Sequence, residues 1–297
     1  MLRTDSIEEL VREAGDGSIA RVVLSDQAER DGIREEALTE TMLKTLQVMR
    51  ESAEAGLKPD VRSMSGLTGG QAAKVMARVA SGASAAGDVL GEAMAVALGV
   101  AELNAAMGRI VAAPTAGACG ILPGVLLAYG KTRGADDAAL VRALFTAAGV
   151  GGVIAARASI SGAEAGCQAE CGAASAMAAA ALTELSGGSA EAASSAISFA
   201  LMNVMGLVCD PVGGLVEVPC VYRNVLGVVN AVSASDMAMA GIRSLLPADE
   251  VIDAMGRVGR SMPASLRETG EGGCAACPAA RSTVNRSVFS HPATANG

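Results

Sequence analysis

An apolar stripe at helical spacing marks the first sixty residues of the chain. Its members are Ile33, Ala37, Met42, Leu43, Leu46 and Met49. Charged residues occupy the opposite positions, and Ser6 followed three residues later by Glu9 is typical of a capping box at the start of a helix. The pattern predicts a helical flank over residues 1–60, with its charges in solvent.

Beyond residue 60 the hydrophobic pattern changes, because alanine and glycine dominate as far as about residue 245. Helical patterns such as residues 85–108 and 171–188 alternate with the short glycine-rich loops PTAGACG, SISGAEAG and DPVGGLVEVP. No strand-like alternation persists and no long repeat occurs. Glycine-rich loops between apolar helices are expected to be buried and to surround a ligand. The predicted fold is all-α, with an Ala/Gly-rich helical catalytic domain at 61–280 and a polar, partly extended tail at 281–297.

Composition supports closely packed helices in a chain outside the membrane. Of the 297 residues, 51% are hydrophobic, yet the chain has no Trp, two Tyr and three Phe, so small aliphatic residues must fill the core. The net charge of −8 disfavours a nucleic-acid surface. The charged N-terminus lacks the apolar stretch of a signal peptide, and Pro114 and Pro123 interrupt the uncharged stretch at residues 110–130. We therefore expect a cytoplasmic protein with no membrane span and no nucleic-acid partner.

The scarcity of basic side chains excludes several common catalytic arrangements. The sole histidine is His291, which we expect to lie in a disordered tail, so Cys-His catalysis, a Ser-His-Asp triad or a Cys/His zinc site would need that tail to fold back. Lys74 and Lys131 are the candidates for a pyridoxal phosphate Schiff base, but neither follows a recognisable phosphate-binding loop. We therefore expect no pyridoxal phosphate, and the chemistry is expected to rest on cysteine.

Three of the seven cysteines lie in separate glycine- and proline-rich loops, namely Cys167 in AGCQAEC, Cys209 in VCDPVGG and Cys220 in VPCVY. Proline beside a cysteine is typical of iron–sulfur sites, where it fixes the loop. Three such ligands would leave one iron of a [4Fe-4S] cluster open to bind a substrate hydroxyl. Buried cysteine is also a common packing residue, so spacing alone leaves both interpretations open. For Cys119 and Cys171 we favour packing.

Several longer segments together resemble the alpha chain of the iron–sulfur-dependent L-serine dehydratases. They are GLTGG, AELNAAMGRIVAAPTAG, APTAGACGILPG, SISGAEAGCQAE, GLVCDPVGGLVEVPCVYRN and MPASLRETGEGG, in order along almost the whole chain. The resemblance implies that Cys167, Cys209 and Cys220 hold a [4Fe-4S] cluster. It also implies elimination of water from L-serine to give pyruvate and ammonia. Single-chain members carry an extra N-terminal domain that two-chain members supply as a beta chain, so a beta-chain partner is expected here.

Polar residues of the glycine-rich loops are the candidates for the remaining roles in this reaction. Proton transfer at the substrate Cα is assigned to a hydroxyl or carboxylate among Thr115, Ser159, Ser161 and Glu268, or to a group of the second chain. Substrate binding is assigned to Thr68, Gly69 and Arg267, with Arg267 anchoring the carboxylate. Thr68 and Thr115 are equally typical of a turn or a helix cap, and an Arg-Glu pair is equally typical of a solvated turn.

Two departures from the family pattern and two alternative functions stay open. Arg157 stands two residues before Ser159, where relatives often carry asparagine. Cys274 and Cys277 form an additional C-x-x-C-P motif, which is consistent with a redox pair or with a fourth ligand of the resting cluster. The alternative functions are a related lyase acting on L-cysteine or another β-substituted amino acid, and a non-enzymatic iron–sulfur redox sensor or scaffold.

Overall fold

The computed structural model describes residues 5–289, so His291 lies outside the described residues. Within this range the chain is helical and forms no β-strand, which confirms the all-α prediction. The helices are α1 (Ile7–Ala14), α2 (Ile19–Asp31), α3 (Glu35–Gly56), α4 (Gln71–Ala80), α5 (Gly87–Ala105), α6 (Ile121–Thr132), α7 (Asp137–Arg157), α8 (Gly162–Ala165), α9 (Ala173–Leu185), α10 (Ala190–Asn203), α11 (Cys220–Met239), α12 (Ala248–Ser261) and α13 (Pro278–Phe289).

Helix α9 lies at the centre of the molecule. Every residue from Ala173 to Thr183 is buried, and the helix contacts α6, α7, α10 and α11. Most of these residues are alanine, whose methyl side chain lets neighbouring helices approach from all sides. The alanine-rich composition therefore forms the core around which the site loops are arranged.

The first sixty residues pack into the same hydrophobic core as the rest of the chain. Ile7, Leu10, Ile19 and Leu46 are almost completely buried within it. The predicted cap of α1 is present, because Ser6 Oγ accepts a hydrogen bond of 3.1 Å from the Glu9 amide. These residues form α1, α2 and α3, which join the core rather than lying apart from it.

Helices α3 and α5 cross at a pair of glycines. A Cβ atom added to Gly56 would lie 2.2 Å from the backbone oxygen of Gly99, closer than any real Cβ contact. Glycine is required at this position because the two backbones themselves are in contact.

Residues 278–289 are helical, which corrects the expectation of a partly extended segment for this part of the chain; residues 290–297 lie outside the described residues. Helix α13 begins at Pro278, where proline fits the first helical position, and the Arg281 amide donates to the Cys277 carbonyl at 3.2 Å. Its polar composition had suggested an extended tail, but a polar helix is stable here because it contacts the turn at Val212–Gly214.

Among the described residues, α7 is long and apolar enough to cross a membrane by length and composition alone. A core helix of a folded protein passes the same test. Most of the apolar side chains of α7 are buried against the rest of this molecule, including Leu144, Phe145, Val150 and Ile154, and the helix contacts α2 and α9.

Candidate active site

The structure brings Cys167, Cys209 and Cys220 into one buried region. Cys167 directly precedes a π-helical turn at Gln168–Gly172, Cys209 follows α10, and Cys220 is the first residue of α11. Their exposed fractions are 2%, 3% and 6%, and Cys167 lies close enough for its charge to raise the pKa of both Cys209 and Cys220. Nowhere in residues 5–289 are three or more His, Cys, Asp or Glu side chains spaced as ligands of a single metal ion.

The three thiols differ in acidity because their surroundings differ. Burial and neighbouring negative charges raise the pKa of Cys209, and the same causes raise the pKa of Cys220 to about 12. The pKa of Cys167 is instead lowered, first by a hydrogen bond from Cys171 and then by the charge of Arg223. Cys171 donates this hydrogen bond, which together with burial raises its own pKa. Cys171 is thus a buried partner of Cys167, one turn further along the chain.

Arg223 supplies positive charge to this region and was not identified from the sequence. Its Nη1 donates to the Val208 carbonyl at 2.7 Å, and its Nη2 lies 2.7 Å from Asp210 Oδ1. Burial lowers the pKa of Arg223, but the charges of Cys167 and Asp210 outweigh burial and raise it overall. A usable signal was present, since Arg223 follows Cys220 by three residues on α11 and therefore lies on the same helix face.

Glu170 is the second residue that the sequence analysis did not single out. It lies in the π-helical turn after Cys167, where its Oε1 accepts a hydrogen bond of 2.8 Å from the Thr115 hydroxyl. Its Oε2 lies 3.9 Å from the sulfur of Cys209, which donates to it. Burial raises the pKa of Glu170, and the negative charge of Glu268 raises it further. The predicted residues Thr115 and Glu268 are thus neighbours of a partly buried carboxylate.

Gly162 keeps a space open beside this carboxylate. A Cβ atom at this position would lie 2.6 Å from Glu170 Oε2 and 3.0 Å from the sulfur of Cys209. Any side chain at Gly162 would therefore occupy the space between an acid and a thiol.

The serine candidates lie at the exposed edge of the same loop. The Ser159 hydroxyl donates to Glu164 Oε2 at 2.6 Å and accepts from the Ser161 amide at 3.0 Å. Ser161 directly precedes α8. The structure gives neither hydroxyl a hydrogen bond to the cysteines or to Glu170, and their assignment to proton transfer stays a prediction.

Arg267 and Glu268 are held against Cys209 by backbone hydrogen bonds. The Cys209 amide donates to the Leu266 carbonyl at 2.9 Å, and the Glu268 amide donates to the Cys209 carbonyl at 2.7 Å. The Nε of Arg267 is buried and has no hydrogen-bond partner among the described residues. Its Nη1 makes only a long contact of 3.5 Å to the Glu164 carbonyl. This guanidinium therefore has an unsatisfied donor directed into the protein.

The Thr68–Gly69 loop is tied to the cysteine region by buried acids. Glu217, three residues before Cys220, accepts from the Thr68 hydroxyl at 2.7 Å and from the Thr68 amide at 3.0 Å. Glu102, which is completely buried, accepts from the Gly69 amide at 3.2 Å and from amides in the first turn of α4. The Thr68 hydroxyl and the Gly69 amide thus hold the loop in place, and their assignment to substrate binding stays a prediction.

Two other residues discussed from the sequence lie outside this cluster. Cys119 is completely buried, its sulfur lies 3.9 Å from the Val100 carbonyl, and burial raises its pKa to about 12, as expected for a packing thiol. Arg157 at the end of α7 pairs with Asp253 of α12, with Nη2 2.8 Å from Oδ2. Arg157 therefore joins two helices and makes no contact with the cysteines in the structure.

Known proteins resemble this chain over most of its length. The family model for the serine dehydratase alpha chain matches residues 14–275. A probable L-serine dehydratase alpha chain of Bacillus subtilis is 48% identical over 271 residues, which cover 91% of this chain and 90% of the relative. The L-serine dehydratase alpha chain of Peptoniphilus asaccharolyticus is 46% identical over 254 residues, or 86% of this chain and 87% of that one.

A longer relative matches as well. The L-serine dehydratase of Streptomyces coelicolor is 40% identical over 280 residues, which are 91% of this chain but only 60% of the relative. The family model and both alpha chains cover most of the sequence, including the loops of Cys167, Cys209 and Cys220. The chain belongs to the serine dehydratase alpha chain family.

Proposed function

We propose that this chain is the alpha chain of an L-serine dehydratase, an enzyme that eliminates water from L-serine to give pyruvate and ammonia. The proposal rests on one observation. Three buried cysteines from three loops lie in one region of a chain whose relatives are named L-serine dehydratases. Glu170, Arg223 and Arg267 lie beside these cysteines.

The donor set fits a [4Fe-4S] cluster held by Cys167, Cys209 and Cys220. Thiolates are the usual ligands of such clusters, and each binds a different iron, so the thiols need not be spaced as ligands of one ion. Arg223 offsets the negative charge of the thiolates, and Gly162 leaves room beside Cys209. When bound, the iron without a protein ligand supplies a Lewis acid for the substrate hydroxyl.

Glu170 is the best-placed group to accept the Cα proton of L-serine. Its pKa is raised by burial, and an efficient general base has a pKa close to the working pH. The Thr115 hydroxyl donates to Oε1 and fixes the orientation of the carboxylate. In this proposal Thr115 is a positioning residue, and the charge of Glu268 helps to raise the basicity of Glu170.

Arg267 is proposed to bind the substrate carboxylate. Its buried Nε lacks a partner among the described residues, and an unsatisfied buried donor is costly unless a ligand completes it. The Arg267 backbone pairs with that of Cys209, and this proximity to a proposed cluster ligand supports the assignment of Arg267 to the substrate carboxylate.

A beta chain is proposed as the partner, and the cytoplasm as the location. The matched region makes up only 60% of the Streptomyces coelicolor relative, so that relative carries a substantial part with no counterpart in this match. A separate beta chain would supply the corresponding part here.

The proposal is tested by anaerobic reconstitution of the chain with and without a beta chain. We expect about four irons and four sulfides per chain, and pyruvate formation from L-serine when the beta chain is present. Replacement of Cys167, Cys209 or Cys220 by serine should abolish iron binding, whereas Cys119→Ser should retain it. A chain that stays free of iron under these conditions would contradict the cluster, and turnover of L-cysteine but not L-serine would contradict the substrate.

A further inference from the structure

Cys274 and Cys277 differ from the other five cysteines because both are exposed. Cys274 lies in a 3-10 turn at Gly273–Ala276 and Cys277 directly follows it, and the Cys277 amide donates to the Cys274 carbonyl at 3.2 Å. A turn closed by such a hydrogen bond keeps its first and last Cα atoms within about 7 Å, and disulfides span Cα separations of about 4.4–6.8 Å. The backbone of residues 274–277, which we call the CAAC turn, therefore suits an internal disulfide.

The CAAC turn is anchored to the cysteine region through Asp210. The Cys274 amide donates to Asp210 Oδ2 at 2.6 Å, and the Cys274 thiol also donates to this carboxylate, which raises the pKa of the thiol. Asp210 directly follows Cys209 and pairs with Arg223 on its other oxygen. The Asp210 side chain thus connects Cys274 directly to the loop that carries Cys209.

We propose that Cys274 and Cys277 are a redox-active dithiol whose oxidation to a disulfide loosens the Cys209 loop. The proposal does not depend on the proposed lyase activity, because it concerns thiols outside the buried cluster region. The two alternatives raised for this motif were a redox pair and a fourth cluster ligand, and the exposure of both thiols favours the first.

The oxidant is a small-molecule disulfide such as oxidised glutathione, and the exchange is balanced. The thiolate of Cys277 attacks one sulfur of the oxidant and releases one glutathione thiolate. The Cys274 sulfur then attacks the mixed disulfide and releases a second glutathione. The protein loses two electrons and two protons, and both leaving thiolates gain a proton. A reducing compartment keeps the pair as thiols, so the disulfide forms only under oxidising conditions.

Oxidation removes the hydrogen bond that the Cys274 thiol donates to the Asp210 carboxylate. The Asp210 carboxylate then holds the turn by the amide of Cys274 alone. Loss of one hydrogen bond to a charged group corresponds to a factor of about ten in a local opening equilibrium. The Cys209 and Glu268 amides donate the hydrogen bonds that join the Cys209 loop to residues 266–268. We expect both amides to exchange with solvent about tenfold faster in the oxidised chain.

The first test follows thiol chemistry in the full chain, purified under argon and kept in defined mixtures of reduced and oxidised glutathione. After alkylation and digestion, we expect the peptide that contains both cysteines to lose two hydrogens reversibly. Cys277→Ser should instead carry one glutathione on Cys274, and Cys119→Ser should behave like the native chain. Separate glutathione adducts on both cysteines of the native chain, with no internal disulfide, would overturn the proposal.

The second test measures hydrogen exchange in the oxidised and reduced chain by mass spectrometry. Faster exchange around Cys209 and Glu268 on oxidation, absent from Cys274→Ser, whose hydroxyl keeps a donor for Asp210 under the same conditions, supports the coupling. Unchanged exchange alongside a complete disulfide overturns it. Because neither readout uses iron or turnover, failure here is distinguishable from failure of the proposed lyase.

Discussion

Glu170 combines three properties that a proton acceptor near a thiol cluster needs. It is partly buried, its carboxylate is oriented by the Thr115 hydroxyl at 2.8 Å, and it lies beside the thiol of Cys209 at 3.9 Å. Burial raises its pKa above the ordinary value of a glutamic acid, which favours a role in proton transfer.

Replacing Glu170 by glutamine should remove proton transfer while preserving the shape of the site. We expect pyruvate formation by the reconstituted enzyme to fall about 10²- to 10⁴-fold, with iron content unchanged. The measurement is initial rate against pH together with iron and sulfide analysis. Glu164→Gln is the matched control, because Glu164 accepts from the Ser159 hydroxyl at the exposed edge of the site. A variant Glu170→Gln with native turnover would show that the base lies elsewhere.

The buried thiol of Cys119 makes stability depend on pH in the alkaline range. Burial raises its pKa from 9.0 to about 12, so above pH 9 the unfolded chain loses this proton more readily than the folded chain. The unfolded state is then favoured as pH rises, and the contribution present below pH 9 is lost progressively towards pH 12.

In the metal-free chain, the free energy of unfolding should therefore fall by up to about 1.4 kcal/mol per pH unit for this thiol above pH 9. Urea titrations between pH 8 and pH 10.5 measure the slope. Cys119→Ala should show a shallower slope than the native chain, while Cys277→Ser, at an exposed position, should keep the native slope. Equal slopes for Cys119→Ala and the native chain would contradict this account.

At the scale of elements, the site depends on a short helix and a π-helical turn that bring backbone and side chains close together. Helix α8 spans only Gly162–Ala165, and it lies against the turn that carries Glu170. π-helical turns inside helical segments are frequent at functional sites because they redirect side chains. Here the turn places Cys167, Glu170 and Cys171 together within five residues.

Gly162→Ala should interfere with the site without unfolding the protein. The added methyl group would lie 2.6 Å from Glu170 Oε2 and 3.0 Å from the sulfur of Cys209, so the carboxylate or the thiol must move. We expect at least a tenfold loss of turnover, because small displacements of reacting groups are costly. Ala163→Ser, an exposed change on the same short helix, is the control. Native turnover and iron content in Gly162→Ala would show that this space is not used.

The sequence predicted the parts of the site whose chemistry is local. Glycine and proline in their loops made Cys167, Cys209 and Cys220 candidates, the family resemblance made them the expected cluster ligands, and the structure brings them into one buried region. Glu170 and Arg223 were missed because their roles depend on contacts between elements. An acid in a helical pattern ordinarily lies in solvent, and nothing in the sequence showed that a π-helical turn would direct Glu170 to Thr115.

The largest hydrophobic core among the described residues includes both the N-terminal helices and α9. The composition predicted small-residue helix packing, and the helical class followed from the periodicity. The helical flank at residues 1–60 of this single domain was drawn from their polar composition, and its bounds stay a prediction. Composition does not reveal which apolar faces share a core, since that depends on long-range packing.

Gly56→Ala tests whether the N-terminal helices and the core unfold together. The methyl group would lie 2.2 Å from the Gly99 oxygen, so α3 and α5 must separate. We expect a loss of about 1–3 kcal/mol in the free energy of unfolding, with a single transition at a lower urea concentration. Glu54→Ala, exposed on α3, should change it by less than about 0.5 kcal/mol. A separate early transition confined to residues 1–60, seen by hydrogen exchange, would show two units instead.

The alanine surface of α9 also determines which sequence changes this molecule can accept over evolution. In a core of leucine and phenylalanine, the common damage is a hole left by a smaller residue. Alanine has almost nothing beyond Cβ to lose, whereas any larger residue at these buried positions must push a neighbouring helix away. Substitutions that enlarge a side chain on α9 are therefore the ones that this molecule tolerates least. Relatives are expected to keep small side chains along this helix even where their surfaces have diverged completely.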